Sequence, residues 1–144
     1  ILRKAAIGTA VLTFAQSLVG AAVRHTDAGV ACPDVPLCLG EWIPPFAHPL
    51  VALHFGHRLL GILLLAAVLG VGHLAFWHSG SAWIKGLGIA VALTSVSQVL
   101  LGFLSVYYGL AVVPVSLHTL LAATLLTLLV MLATSTWAPG PEEP

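Results

Sequence analysis

The chain has 144 residues, of which 59% are hydrophobic and 7% are charged, and its formal net charge is zero. A soluble domain carries roughly 25% charged residues, so this composition excludes an ordinary soluble domain and is typical of an integral membrane protein. The neutral charge balance gives no support for nucleic-acid binding or for electrostatic attachment to a membrane surface.

Four apolar segments follow one another along the chain, at about residues 5–23, 49–77, 83–107 and 114–136. Each is close to or beyond the ~20 residues that a helix needs to cross a hydrocarbon core. Because backbone polar groups in lipid must be paired within their own segment, these Leu- and Ala-rich runs predict helices. We therefore predict an all-α integral membrane protein, with residues 1–144 forming a single four-transmembrane-helix bundle. The first segment is too long for a signal-peptide core and lacks a small-residue cleavage site, so we expect it to be retained.

One long loop and two short ones connect the segments. The first loop, residues 24–48, is long and polar, whereas the loops around 78–82 and 108–113 are short. Pro114 is well placed to open the last helix. The tail APGPEEP, at 138–144, is typical of a frayed Pro-rich end.

The positions of Lys and Arg in short loops predict the orientation. Arg3 and Lys4 precede the first helix and Lys85 follows the second loop, so these residues should lie inside. The first loop is acidic, which predicts that it lies outside and that both the N- and C-termini lie inside. Four tryptophans agree with an aromatic belt, three at the inner interface and one at the outer: Trp77, Trp83, Trp137 and Trp42.

Two motifs occur twice. Gln-x-x-x-Gly is found as QSLVG at 16–20 and as QVLLG at 98–102, and a His-x-Leu-Leu pattern is found as HRLLGILLL at 57–65 and as HTLLAATLL at 118–126. Leucine-rich helices can resemble one another by chance, but matching Gln, Gly and His in the same order favours duplication. The pattern predicts a bundle made of two parallel-repeat helical hairpins, related by a pseudo-two-fold axis along the membrane normal.

This symmetry makes His57 and His118 equivalent positions in the outer halves of the second and fourth helices. The axis would bring the two imidazoles to face each other, as the axial ligands of a haem iron do in a four-helix bundle. The alternative is that each histidine is hydrogen-bonded to a neighbouring helix, which is common in membranes. We favour haem ligation because the two histidines form a symmetric pair.

Three further polar residues lie near this predicted site. Arg58 lies too deep for a guanidinium without an anion or a route to water, and a haem propionate is a suitable partner. Arg24, at the outer end of the first helix, could bind a propionate likewise, and snorkelling is the alternative for both arginines. His54 lies one turn further out than His57, on the same helix face, and has no counterpart in the second half. It is a candidate acid/base group or an alternative ligand.

Cys32 and Cys38 lie in the outer loop with five residues between them. On an oxidising side such a pair can close readily as a disulfide. A structural staple for the loop is the favoured interpretation, and a redox pair that exchanges electrons with the site below is the alternative. The other histidines are interpreted as interfacial residues without a special role: His25, His48, His73 and His78.

The chain resembles haem A synthase, the family of membrane enzymes that make haem A for cytochrome oxidase. Three stretches carry the resemblance: GAAVRHTDAGVACPDVPLC at 20–38, GHRLLG at 56–61, and QVLLGFLSV with HTLLAATLL within 98–126. The resemblance implies an oxidoreductase that takes haem O as its substrate and oxidises one ring methyl group to a formyl group.

The resemblance also implies roles for single residues. His57 and His118 match the family's axial ligands to haem iron, and Cys32 and Cys38 match its outer-loop cysteine pair. The family commonly has an acidic residue three positions before the first of these histidines. His54 occupies that position here and is therefore the catalytic acid/base candidate.

The usual members of the family have eight spanning helices in two similar halves, and this chain resembles one half. By this resemblance, full-length members hold a substrate haem in one half and haem b in the other. We therefore expect haem O, haem b or both to bind here, in a homo-oligomer in the prokaryotic cytoplasmic membrane, with the cysteine loop on the outer face. Haem O synthase and a quinone or another electron acceptor are the expected partners. Val35 stands where the family has a Trp in the cysteine loop.

Two other functions fit parts of the pattern. A non-enzymatic haem b cytochrome or haem carrier would explain the histidine pair and the arginines equally well. A quinone-linked thiol oxidase is also a four-helix membrane protein with cysteines in its outer loop. Its relay generally needs two cysteine pairs, however, and this chain has one. We favour the haem A synthase-like oxidoreductase.

Overall fold

A computed structural model of the chain describes residues 1–137 and contains four long helices. Helix α1 spans Leu2–His25, α2 spans Pro49–His78, α3 spans Ala82–Tyr107 and α4 spans Val112–Ser135. Each helix is long and apolar enough to cross a membrane, and no β-strand lies in this part of the chain. The predicted all-α, four-helix membrane architecture is therefore confirmed.

The last helix begins slightly earlier than predicted. Its first residue is Val112, so Pro114 lies within the first turn and does not open the helix. A proline is tolerated there because the first N–H groups of a helix have no acceptor within it. The tail that the sequence predicts to be frayed, 138–144, lies outside the residues that the structure describes.

The first residues of α2 show a capping role that the sequence did not reveal. The Nδ1 atom of His48 accepts a hydrogen bond from the backbone N–H of Leu50 at 3.2 Å, and Pro49 occupies the first helical position. The side chain thus satisfies one of the free N–H groups at the start of the helix. His48, which the sequence analysis gave no special role, is therefore the N-cap of α2.

The four helices form a ring in chain order. Helix α1 packs against α2 and α4, and α3 packs against the same two helices, so α2 and α4 lie on one diagonal of the bundle. The first and last residues that the structure describes, Ile1 and Trp137, lie at one end of the bundle. There the guanidinium of Arg3 lies 4.2 Å from the ring centroid of Trp137, and Nε1 of Trp83 donates to Oγ of Ser135 at 3.1 Å. We call this end of the bundle the terminal end.

The main apolar core lies in the half of the bundle nearest the terminal end. Its fully buried members come from all four helices: Ala6, Val68, Ala75, Val91, Leu129 and Leu132. Helices α2 and α3 are in close contact at Gly72 and Gly88. A Cβ atom on Gly72 would lie 2.8 Å from the carbonyl oxygen of Gly88, so neither position has room for a larger residue.

The loop between α1 and α2 folds back onto the start of α2. Its 3₁₀ turn, Ala28–Val30, contacts both helices. Cys32 and Cys38 form the predicted disulfide, which is almost completely buried and packs against Val51 on α2. The backbones of Cys38 and Glu41 are joined by two hydrogen bonds. We call residues 31–41 the disulfide loop.

Candidate functional site

The two predicted ligand histidines have equivalent partners in the two hairpins. In the first hairpin, Nε2 of Gln16 on α1 lies 3.0 Å from Nδ1 of His57 on α2. In the second, Nε2 of Gln98 on α3 lies 3.4 Å from Nε2 of His118 on α4. The Gln and His residues of the repeat are thus neighbours in both halves, as an internal duplication requires.

The glycines of the repeat provide space for the imidazole rings. A Cβ atom on Gly20 would lie 3.0 Å from Cε1 of His57, and one on Gly102 would lie 3.1 Å from Cε1 of His118. Each glycine follows its glutamine by four residues and therefore lies on the same helix face. The Gln and Gly residues of the Gln-x-x-x-Gly motif thus both contact a histidine ring on the next helix. We call these two residues the seat of that histidine. The motif's repeated four-residue spacing was the sequence signal for this seat, although the sequence did not show which residue it contacts.

The histidines lie away from the main apolar core. Both His57 and His118 are partly exposed, and they lie on the diagonally opposed helices α2 and α4. The Oε1 atoms of Gln16 and Gln98 are buried and have no hydrogen-bond partner. Each histidine therefore has an unpaired acceptor oxygen beside it, at the equivalent position of the two hairpins.

Arg58 binds the disulfide loop. Its Nη1 donates to the carbonyl oxygens of Asp34 and Leu37, both at 2.8 Å, and its Nη2 donates to the carbonyl oxygen of Cys32 at 2.6 Å. Its Nε donates to Nε2 of His54 at 3.2 Å. These partners were missed by the sequence analysis, because backbone carbonyls in a distant loop carry no residue-type signal.

His54 is buried beside this contact, with 4% of its surface exposed. Because Nε2 accepts from Arg58, the hydrogen of the neutral ring lies on Nδ1. This Nδ1 atom is buried and has no hydrogen-bond partner. Arg24, in contrast, lies exposed in the last turn of α1. The structure therefore brings His54 and Arg58 together and leaves Arg24 exposed on the protein surface.

No ordinary metal-ion cage accompanies the imidazole pair. Within residues 1–137, no three His, Cys, Asp or Glu side chains are grouped as they would be around a metal ion. A groove of about 560 Å³ between α1 and α2 is lined by Gly8, Gly70 and His73, and lies in the terminal half. The candidate site is thus defined by two imidazoles with their Gln and Gly neighbours. Such a donor set fits a haem, whose iron needs only axial ligands from the protein.

Comparison with known proteins identifies the family. Residues 1–130 match the model of the cytochrome oxidase assembly protein family, COX15-CtaA. The chain belongs to this family. The resemblance to haem A synthase that the motifs predicted is thereby confirmed.

The curated relatives that match this chain carry the name haem A synthase. The protein of Bacillus cereus is 32% identical over 132 residues, which are 88% of this chain and 42% of the relative. That of Symbiobacterium thermophilum is 46% identical over 68 residues, and that of Halalkalibacterium halodurans is 52% identical over 52 residues. These matches cover 47% and 36% of this chain, and 22% and 17% of the relatives. The chain spans less than half the length of the curated relatives it matches.

Proposed function

We propose that this chain acts in haem A biosynthesis for cytochrome oxidase, as a haem A synthase-like oxidoreductase that converts haem O to haem A. The observation that carries the proposal is the pair of equivalent histidine seats on the diagonal helices α2 and α4. The family membership and the named relatives support the same conclusion.

His57 and His118 would hold the haem iron through their imidazole nitrogens. The donor set suits this role, because imidazoles from facing helices are typical ligands of haem in four-helix bundles. When bound, the iron porphyrin supplies the redox chemistry, and the protein positions the ring and controls access to it. Arg24 and the remaining N–H of Arg58 are the cationic donors proposed for the propionates.

His54 is the proposed acid/base residue. Its hydrogen bond from Arg58 fixes Nε2 as the acceptor and Nδ1–H as the donor. Oxidation of a methyl group to a formyl group, with water as the oxygen source, removes electrons and protons from the substrate. Because Nδ1 already carries a hydrogen, His54 would donate through Nδ1–H to a substrate or water oxygen, and it would accept a proton only at Nε2, once that atom is released from Arg58. The electrons need an acceptor, for which we propose a quinone or a similar carrier.

The wider setting follows from the family. We propose that haem O reaches this protein from a haem O synthase, that the chain forms a homo-oligomer, and that it resides in the prokaryotic cytoplasmic membrane with the disulfide loop outside. The four membrane-spanning helices support the membrane location.

Haem analysis tests the function. The chain is expressed with a haem O synthase, the haems are extracted, and their masses are determined. We expect haem A with the wild-type chain and none with His57→Ala or His118→Ala. His73→Ala is the matched control, because His73 lies exposed on α2 far from the site. Recovery of haems B and O only would contradict the enzymatic function and favour a haem b cytochrome or carrier. A normal haem complement in both alanine variants would contradict the ligand assignment.

A further inference from the structure

We infer that Gln16 and Gln98 position the two histidines in opposite tautomers, so that Nε2 of His118 carries no hydrogen whereas Nε2 of His57 carries one. This inference rests on the proposed haem site and adds a difference between its two ligands. The two seats share their residue types, but their hydrogen bonds differ. Nδ1 of His57 faces a side-chain amide, whereas Nδ1 of His118 faces a backbone carbonyl, and only Gln16 also donates to the backbone of its histidine.

The backbone of Gln98 determines the tautomer of His118. Nδ1 of His118 lies 2.9 Å from the carbonyl oxygen of Gln98. A carbonyl oxygen can only accept, so Nδ1 must carry the hydrogen. Nε2 of the neutral ring then has a free lone pair, which faces the side-chain amide of Gln98 at 3.4 Å. A ring held through Nδ1–H by a carbonyl is the usual arrangement of a histidine that binds a metal through Nε2.

The side chain of Gln16 determines the tautomer of His57. Nε2 of Gln16 lies 2.7 Å from the carbonyl oxygen of His57, so the atom in this position must be the amide nitrogen, a donor. Its second hydrogen faces Nδ1 of His57 at 3.0 Å, and Nδ1 must therefore accept. The hydrogen of the neutral imidazole then lies on Nε2, which cannot bind iron while it carries that hydrogen.

The carbonyl of His57 also prevents Gln16 from simply turning over. A flipped amide would place Oε1 against that carbonyl oxygen, and two acceptors would face each other. Binding of iron by His57 therefore requires its proton to move from Nε2 to Nδ1 and its contact with Gln16 to break. His118 needs to lose only the longer contact of its Nε2 with Gln98. His118 is thus the resident ligand and His57 the exchangeable one, with Gln16 as the positioning residue that sets the difference.

Nitrogen NMR of the haem-free protein tests the tautomers directly. The full chain is labelled with ¹⁵N-histidine in lipid nanodiscs, and the two rings are assigned from His57→Ala and His118→Ala. We expect protonated Nδ1 in His118 and protonated Nε2 in His57. Gln16→Met, which keeps the side-chain length, should abolish the preference of His57, while Gln98→Met should leave His118 unchanged because its partner is a backbone carbonyl. Identical tautomers at both histidines, or an unchanged His57 in Gln16→Met, would overturn the inference.

A ligand-exchange measurement tests whether His57 is the exchangeable ligand. Carbon monoxide is titrated into ferrous protein loaded with haem b, where it competes with the exchangeable histidine. In Gln16→Met, one hydrogen bond that opposes ligation is lost, so His57 should bind the iron more tightly. The apparent Kd for carbon monoxide should therefore rise about fivefold, equivalent to about 1 kcal/mol. Gln98→Met should leave this Kd within about twofold. Equal effects of the two variants would overturn the asymmetry. Failure of the wild type to bind haem would contradict the proposed function instead, and the NMR result would still decide the tautomers.

Discussion

Arg58 donates a hydrogen bond from Nε to Nε2 of His54, which lies one turn earlier on α2, over 3.2 Å. The other nitrogens of the same guanidinium bind three carbonyl oxygens of the disulfide loop. His54, the proposed acid/base residue, is therefore hydrogen-bonded to a side chain that also binds the disulfide loop. This arrangement connects the disulfide, the loop backbone and the site on α2 through one arginine.

Replacing Arg58 by lysine should loosen the disulfide loop. An ammonium group lacks the planar fork that reaches three carbonyls and His54 together. We expect the free energy of unfolding to fall by about 3 kcal/mol, from the loss of several charge-assisted hydrogen bonds. Hydrogen exchange should accelerate at the amides of Cys38 and Glu41, which bond across the loop. Arg24→Lys, at an exposed position, is the control. Unchanged exchange in Arg58→Lys would show that the loop does not depend on the guanidinium.

Removing the disulfide should destabilise the protein moderately. Cys32 and Cys38 close a small ring, for which the chain-entropy estimate is about 2 kcal/mol. Alanine at both positions avoids burying hydroxyl groups, and thermal unfolding in detergent measures the change. The wild type treated with a reductant should approach the double variant. A wild-type melting curve that is insensitive to reductant and equal to that of the double variant would contradict this prediction.

Alanine at Gly20 or Gly102 should disturb the histidine seats. The new Cβ would lie 3.0 Å from His57 or 3.1 Å from His118, so the imidazole must move. Overpacking of this kind costs about 1–3 kcal/mol, and we expect haem affinity to fall by about tenfold or more. Gly56→Ala is the matched control, because no atom lies within 4 Å of its Cβ position. Haem titration followed by absorbance makes the measurement. Equal haem affinities in Gly20→Ala, Gly102→Ala and Gly56→Ala would show that the histidine rings do not need glycine at positions 20 and 102.

Alanine at Gly72 or Gly88 should separate α2 from α3. The added Cβ would lie 2.8 Å from a backbone oxygen at Gly72 and 2.7 Å from Cβ of Ala75 at Gly88. Since backbone atoms cannot rotate away, we expect a loss of about 1–3 kcal/mol. Gly70→Ala and Gly86→Ala have open space around the new methyl group and should be neutral or stabilising by up to about 1 kcal/mol. Thermal unfolding in detergent compares the four variants. Similar melting temperatures in all four would show that the contact tolerates a methyl group.

The predicted orientation can be tested with single introduced thiols. Gly80 lies in the loop between α2 and α3, and Tyr108 lies in the loop between α3 and α4, at the opposite end of the bundle. If the termini are inside, a membrane-impermeant maleimide should label Tyr108→Cys in intact cells and Gly80→Cys only after lysis. The described part of the wild-type chain has no free cysteine, so its background is low. The reverse labelling pattern would show that the chain has the opposite orientation.

The sequence determined the parts of this protein that depend on local chemistry. A bilayer requires its spanning segments to pair their backbone groups internally, so four long apolar runs sufficed to predict four helices. The spacing of two cysteines in a polar loop was enough to predict their disulfide. The repeated Gln, Gly and His residues also identified the equivalent positions of the two hairpins.

Only the tertiary structure decided what these residues contact. The three carbonyls that bind Arg58 belong to the backbone, and a backbone group has no signature in the sequence. The difference between the two histidine seats depends on which atom of a glutamine lies within 3 Å of the ring, a side-chain nitrogen at His57 and a main-chain oxygen at His118. Identical residue types thus give opposite hydrogen bonds, because the direction of a hydrogen bond depends on the placement of donors and acceptors and not on the residue names.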